Sequence, residues 1–166
     1  MATSLQFIKS VSGSSVSSLS VTDCFNAQYD VYQILITKIE QATAQYLWFR
    51  LIDSVGVDST SNYDDATLVM KPSTSFSEER NANQNAWTRF LYNSNGTTGG
   101  NINLFIYNPN DSSSFTFATA QGIGQGLYWG SKAIGVHTVA EQITGIQLLP
   151  GSGNLENAEV SVYGVK

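Results

Sequence analysis

Hydrophobic and polar residues alternate every two positions over much of this chain, which is the pattern expected of β-strands. One extended run places Tyr32, Ile34 and Ile36 on one face. Its opposite face carries Val31, Leu35 and Ile39, which are also apolar. A strand that is apolar on both faces belongs in the middle of a sheet whose outer side is covered as well. The pattern therefore predicts a layered β-protein.

The alternation predicts about eleven short strands in all, separated by turn residues such as Asn-Gly, Gly-Gly, Asn-Pro and Pro-Gly. The remaining candidate strands are Leu5–Val11, Val16–Val21, Tyr46–Ile52, Ala66–Met70, Ala86–Tyr92, Asn101–Tyr107, Ser114–Ala120, Ile134–Val139, Ile143–Leu149 and Ala158–Val165. Helix-favouring residues occur in Lys38–Tyr46 without an apolar stripe, so a long loop or a single turn competes with a helix there. The polar stretches Asp53–Asp65 and Lys71–Asn85 are predicted to be surface loops. We expect an all-β fold, a single-domain antiparallel β-sandwich of jelly-roll-like character over residues 1–166.

Composition adds a shortage of charge to this picture. The 166 residues include 21 Ser, 14 Thr, 13 Asn and 10 Gln, and only 13% are Asp, Glu, Lys or Arg, against roughly 25% in a typical domain. The net charge is −5, and the three arginines are not clustered with the five lysines. We therefore expect no binding to nucleic acid or to a membrane surface. With so few ionisable groups, the composition favours a scaffold over an enzyme.

The single cysteine and the single histidine predict no metal centre. Cys24 is expected to be a small buried hydrophobic residue, and a lone cysteine gives no disulfide. His137 falls in a predicted strand, where a packed or surface position is expected. A catalytic triad would need a nucleophile and an orienting acid, and the G-x-S-x-G pattern does not occur. We predict no catalytic residue, no metal and no cofactor.

Two pairs of neighbouring carboxylates could be either catalytic or metal-binding groups or ordinary solvated surface charges. Asp64-Asp65 and Glu78-Glu79 lie in or beside the polar stretches, where solvated loop charge is the expected role. A glycosidase needs two carboxyl groups facing each other across a cleft, whereas neighbouring strand residues point to opposite faces. Two oxygen-rich groups resemble calcium ligands, although neither matches the twelve-residue calcium loop. They are Asn62, Asp64 and Asp65, and Asn108, Asn110 and Asp111.

The aromatic residues divide into an expected core set and a candidate contact set. The expected core set is Trp48, Trp87, Phe90, Phe105, Phe115 and Phe117, all in or beside alternating strands. Tyr107, Tyr128 and Trp129 lie beside glycine- and asparagine-rich segments. Such amphipathic rings anchor protein interfaces and stack on sugars. These three are our candidate residues for contact with a partner or ligand.

The last 25 residues are the most distinctive part of the chain. They contain I-T-G-I-Q-L-L-P-G-S-G-N, residues 143–154, followed by V-S-V-Y-G-V-K, residues 160–166. This resembles the C-terminal end of small virion proteins of tailed bacteriophages, in which G-I-x-L-x-P-x-S-G-N precedes a final V-Y-G strand. Y-D-V-Y-Q-I-L-I at 29–36 and F-R-L-I-D-S-V-G at 49–56 are similar to the same group. The resemblance covers about half of the chain and rests on turns and core strands, so it implies no catalytic residue.

The resemblance implies a non-enzymatic β-sandwich that coats a capsid or sits on a tail or fibre. One domain leaves no room for the shaft that a tail receptor-binding protein usually carries, so we expect a capsid decoration (cement) protein on the outer surface of the shell. Its partners would be the major capsid protein or other virion proteins, and copies would form a homo-oligomer such as a trimer. The absence of a predicted signal peptide agrees with assembly in the host cytoplasm and residence in the virion. The alternative is a carbohydrate-binding tail-tip or tail-fibre module that contacts a host glycan.

Overall fold

The chain folds into β-strands, as the alternation predicts. The computed structural model describes residues 4–72, 76–93, 99–124 and 129–166, with the side chains of 93 and 129 excluded. Within these ranges there is no helix, and hence none that could span a membrane. The twelve strands of the described residues are β1 (Leu5–Gly13), β2 (Leu19–Val21), β3 (Val31–Gln41), β4 (Gln45–Ile52), β5 (Tyr63–Met70), β6 (Ser77–Gln84), β7 (Trp87–Asn93), β8 (Gly100–Tyr107), β9 (Thr116–Gly124), β10 (Trp129–His137), β11 (Gly145–Pro150) and β12 (Leu155–Val165).

Two antiparallel sheets pack face to face as one sandwich. The large sheet has eight strands in the order β1-β12-β3-β8-β9-β10-β5-β6. The small sheet has four strands in the order β2-β11-β4-β7. The chain passes repeatedly from one sheet to the other, so that both sheets contribute to one core. The predicted all-β, antiparallel β-sandwich is confirmed.

The core lies between the two sheets and is filled by the inward residues of each alternating strand. Tyr32, Ile34 and Ile36 of β3 are fully buried against Phe49 of β4 and Trp87 of β7, among others. Cys24 is also fully buried, as predicted. Burial raises the pKa of its thiol to about 12, so the thiol stays protonated and unreactive at neutral pH.

Three segments and one residue differ from the sequence prediction. The predicted surface loop Asp53–Asp65 runs into β5, which begins at Tyr63. Ile39, expected on the same side as Val31 and Leu35, is fully buried in the core.

The segment predicted as helix, loop or turn at Lys38–Tyr46 is mostly strand, because β3 continues to Gln41 and β4 begins at Gln45. The short connection between them carries the chain from the large sheet to the small sheet. A bulge at Lys38, whose φ is 55°, shifts the register of β3 and hides its strand character in the sequence. The segment Lys71–Asn85 is not one surface loop, since it contains β6. β6 has no apolar alternation because it is an edge strand that pairs with β5 alone.

The large sheet has an outer face, defined here as the side that points away from the small sheet. Val31 and Leu35 on β3 lie on this side and remain half-buried. Their apolar character predicts a covering layer, but no strand or helix among the described residues covers this side. The protein therefore presents the apolar side of a central strand to whatever surrounds it.

Candidate functional site

The outer face of the large sheet carries two rows of mostly apolar side chains, because cross-strand partners point to the same side of a sheet. The first row crosses all eight strands as Phe7, Tyr163, Gln33, Phe105, Thr119, Ile134, Ala66 and Arg80. The second row runs beside it as Leu5, Val165, Val31, Tyr107, Phe117, Val136 and Asp64. The charged members of these rows stand only at the β5 and β6 end. On the middle strands the second row is entirely apolar or aromatic, whereas the first row is interrupted by Gln33 and Thr119. The next row on the same face is more polar and contains Asn103, Gln121 and Lys132.

Several of these side chains are strongly exposed for their size. Phe7 is 56% exposed, Ile134 is 61% exposed and Phe117 is 43% exposed. The rings of Phe105 and Tyr107 stack at 6.5 Å between centroids. Isolated exposed hydrophobic residues are ordinary, whereas a contiguous apolar patch marks an interaction surface. The two rows form such a patch.

Four aromatic residues expected in the core lie outside it, namely Trp48, Phe105, Phe115 and Phe117. Phe115 and Phe117 are each 43% exposed, and Phe105 is half-buried on the outer face. The core side of β9 instead carries Thr116, Ala118 and Ala120, because small side chains leave room for the rings of β7. Trp87 and Phe90 are fully buried, as predicted. Trp48 is half-buried on the side of the small sheet that faces away from the core.

A groove of about 840 Å³ crosses the outer face from β8 to β6. Its apolar floor includes Tyr107, Phe117 and Ile134, and its polar wall includes Arg80 and Gln84. The hydroxyl of Tyr107 lies 3.1 Å from Thr119 Oγ1, which fixes the ring against the sheet.

The structure tests only part of the predicted contact set of Tyr107, Tyr128 and Trp129. Tyr107 lies on the outer face and lines the groove. Tyr128 falls outside the described residues, and Trp129 is described only as the first residue of β10. Tyr107 is thus the one member whose side-chain position is described, and the contact role of all three residues stays a prediction.

The carboxylate pairs do not form a shared catalytic cleft. Asp64 lines the groove, whereas its neighbour Asp65 is buried on the core side and accepts hydrogen bonds from the backbone N–H groups of Thr88 and Arg89. Burial raises the pKa of the Asp65 carboxyl, although those hydrogen bonds oppose the shift. Asp64 and Asp65 point to opposite faces of the sheet. The predicted calcium ligands Asn62, Asp64 and Asp65 are therefore not brought together.

The second pair, Glu78 and Glu79, is divided in the same way. Glu78 stands opposite Leu68 on the outer face. Glu79 points to the other side, where it accepts a hydrogen bond from the Tyr46 hydroxyl and lies 3.3 Å from the Arg89 guanidinium. Each carboxylate therefore serves a different structural contact.

The second calcium group, in the loop between β8 and β9, is held by its own polar contacts. The carboxylate of Asp111 accepts hydrogen bonds from the N–H and the hydroxyl of Ser113, which lower its pKa. Asn108 Nδ2 lies 3.3 Å from Ser114 Oγ, and Asn110 Nδ2 donates to the carbonyl of Ile143. These side chains brace the loop and do not converge on one point.

The single histidine forms a second, buried polar cluster that the sequence did not reveal. His137 ends β10 and is fully buried, and its Nε2 lies 2.6 Å from Asp58 Oδ2. Glu141 Oε1 lies 3.8 Å from the same nitrogen. The other carboxylate oxygen of Asp58 accepts hydrogen bonds from the N–H and the hydroxyl of Thr60. This cluster joins the loop after β4 to the end of β10.

The pKa values of the two carboxyl groups in this cluster, those of Asp58 and Glu141, are shifted in opposite directions. Burial raises the pKa of Asp58, but the hydrogen bonds from Thr60 and His137 outweigh it and hold the pKa below its usual value. Burial raises the pKa of Glu141, the charge of His137 opposes this shift, and the nearby charges of Asp53 and Asp58 add to it.

The cluster does not have the arrangement of a hydrolytic triad. In a triad, one ring nitrogen of histidine binds the acid and the other faces the nucleophile. Here Asp58 binds Nε2, and the buried Nδ1 has no hydrogen-bond partner among the described residues. The Tyr63 ring packs against the imidazole at 4.7 Å. His137 is thus packed in the fold, in agreement with the sequence prediction, and its partner Asp58 was missed because the two are far apart in the chain.

A scan against protein-family models finds no matching family, and a search of curated proteins finds no similar sequence.

Proposed function

We propose that this protein is a non-enzymatic structural protein of a tailed-bacteriophage virion, a capsid decoration protein that binds the outer surface of the shell. The observation that carries the proposal is the uncovered apolar outer face of the large sheet. The segments 143–154 and 160–166 resemble small phage virion proteins, and this resemblance is the reason for proposing a tailed-phage virion as the particle. The final strand, β12, lies second in the large sheet and contributes Tyr163 and Val165 to the outer face.

The composition of the outer face matches that of a protein interface. Interface centres are enriched in aromatic residues and depleted in charge, and here Phe105, Tyr107 and Phe117 occupy the middle while Arg80 and Asp64 stand at one end. Eight strands spaced at about 4.8 Å make the face roughly 34 Å across. That is wide enough for a standard interface of about 800 Å² per partner. A coat-protein subunit of the shell is therefore a suitable partner in both size and chemistry.

The low charge of the chain supports the same role. Decoration places many identical copies close together, and copies with few charges repel one another weakly. Within the described residues, the buried carboxylates of Asp58 and Asp65 are engaged by hydrogen bonds that stabilise the fold. A scaffold function thus accounts for these groups without assigning them to catalysis.

Removing the protein from the particle tests this proposal. Particles assembled without it are expected to release their genome at a lower temperature than wild-type particles, because contacts that bridge coat subunits are lost. The measurement is DNA release on heating, followed with a dye that fluoresces on binding DNA. Adding the purified protein back should restore the wild-type temperature. Equal release temperatures with and without the protein would contradict a cementing role.

The groove favours a carbohydrate-binding module at the tail as the second candidate function. Sugar sites combine an aromatic platform with polar side chains, and the groove offers Tyr107 and Phe117 beside Arg80 and Gln84.

On this second reading, Tyr107→Ala is expected to weaken glycan binding about 3- to 10-fold, because a stacking contact contributes about 0.5–1.5 kcal/mol. Tyr163→Ala is the matched control, since Tyr163 shares the outer face but does not line the groove. A glycan array followed by titration provides the measurement. If the array shows no binding by the wild-type protein, the carbohydrate function is excluded.

A further inference from the structure

We propose that Asp58, His137 and Glu141 form a binding site for one divalent transition-metal ion, with Zn²⁺ as the best-matched ion. The three residues come from the loop after β4, the end of β10 and the loop before β11. Their ligand atoms all lie within 4.8 Å of one another. The inference is independent of the virion proposal, because it rests on a different part of the fold.

The charges at this position favour a cation. Two carboxylates face a fully buried imidazole, and no lysine or arginine among the described residues forms an ion pair with Asp58 or Glu141. The positive charge that faces these carboxylates among the described residues is that of a protonated His137. When the imidazole is neutral, the two partly buried carboxylates have no counter-charge, which is unfavourable. A divalent ion would supply the missing positive charge.

The donor set selects the class of ion. One imidazole nitrogen with two carboxylate oxygens suits Zn²⁺, which takes histidine and carboxylate ligands at about 2.0–2.2 Å. Ca²⁺ and Mg²⁺ prefer sites made of oxygen alone. Three protein ligands leave a further coordination position for water. The site therefore favours Zn²⁺ over Ca²⁺.

Ion binding requires a small rearrangement. Nε2 of His137 and Oδ2 of Asp58 are hydrogen-bonded at 2.6 Å, whereas two ligands of one zinc ion stand about 3 Å apart. The carboxylate of Asp58 must therefore move away slightly, while the Tyr63 ring holds the imidazole in place. Coordination through Nε2 leaves the ring hydrogen on Nδ1, which has no partner among the described residues. Because metal-bound histidines usually have that second nitrogen hydrogen-bonded, we expect moderate, micromolar affinity.

The single histidine of the chain permits a direct test by NMR. The protein without a histidine tag is labelled with ¹⁵N-histidine, so that one imidazole gives all the ring signals. Adding Zn²⁺ is expected to shift the Nε2 resonance to the position of a metal-bound nitrogen, and adding Ca²⁺ is expected to leave it unchanged. If equimolar and excess Zn²⁺ both leave the Nε2 resonance unchanged, the proposal is overturned.

A variant at the most accessible ligand makes the test specific. Glu141→Gln removes one charged ligand at a side chain that is 30% exposed, so the fold should tolerate it. We expect at least a tenfold loss of Zn²⁺ affinity by calorimetry and the loss of any rise in melting temperature caused by Zn²⁺. Glu40→Gln makes the same charge change on β3, away from the cluster, and should bind Zn²⁺ like the wild-type protein. Equal affinity in the two variants would remove Glu141 from the site and contradict the proposal.

Discussion

Replacing Phe117 and Ile134 together by serine is expected to lower the affinity of the protein for virus particles by about 30-fold. The two side chains lie diagonally on β9 and β10 near the middle of the outer face. Burying an apolar side chain of this size contributes about 2 kcal/mol, and residues near the centre of an interface contribute the most. Because Phe117 is 43% and Ile134 is 61% exposed in the free protein, docking buries about one full side chain in total. The double variant therefore loses about 2 kcal/mol, which is about 30-fold in affinity.

The measurement is the binding of fluorescently labelled protein to particles that lack it. The fold should survive, because exposed substitutions usually change the free energy of unfolding by less than about 0.5 kcal/mol. Val55→Ser is the control, since Val55 is 94% exposed and lies in the loop after β4, off the outer face. That control should bind like the wild-type protein. Unchanged binding by the double variant would show that another surface docks.

The second large expected effect is a loss of stability when Trp87, whose side chain contacts both sheets, is replaced. Trp87→Ala is expected to lower the free energy of unfolding by about 3–5 kcal/mol. The Trp87 indole is fully buried, stacks on Phe90 at 5.4 Å and meets the Tyr63 ring edge-on at 5.6 Å. Its Nε1–H donates a hydrogen bond to the carbonyl of Val136 on the opposite sheet. The substitution removes both the packing and this bond.

Chemical unfolding in guanidinium chloride measures that loss. Trp48→Ala is the matched control, because Trp48 is only half-buried and points away from the core. We expect its loss to be clearly smaller. If the two tryptophan variants lose the same stability, Trp87 does not have the central packing role described here. Gly135 belongs to the same contact, since a Cβ at that position would lie 2.7 Å from the Phe90 ring.

Much of the sandwich could be predicted because alternation is a local signal. The buried residues Tyr32, Ile34 and Ile36 follow directly from the two-residue period of β3. β6 could not be predicted in this way, because an edge strand with polar residues on both faces carries no alternation of hydrophobicity. Helix-favouring residues obscure the strands on both sides of the Gln41–Gln45 connection. Their helix propensity is weaker than the pairing of β3 and β4 with neighbouring strands in the two sheets.

The candidate sites were harder to predict because they depend on which surfaces meet. Alternation places Phe105 and Phe117 on one side of their strands, but it does not tell which side faces the small sheet. Large aromatic residues are usually buried, which is why the sequence predicts Phe105 and Phe117 in the core. In the structure, small residues such as Ala118 and Ala120 are buried in their place. The Asp58–His137 pair is separated by 79 positions, and a single sequence gives no local signal for such a contact.

An electron cryo-microscopy reconstruction of the intact virion tests the central claim most directly. The account predicts copies of this sandwich on the outside of the shell, with the outer face of the large sheet against the coat protein and with Phe105, Phe117 and Ile134 covered. A reconstruction in which these three side chains face solvent while another surface of the sandwich contacts the shell would contradict the account.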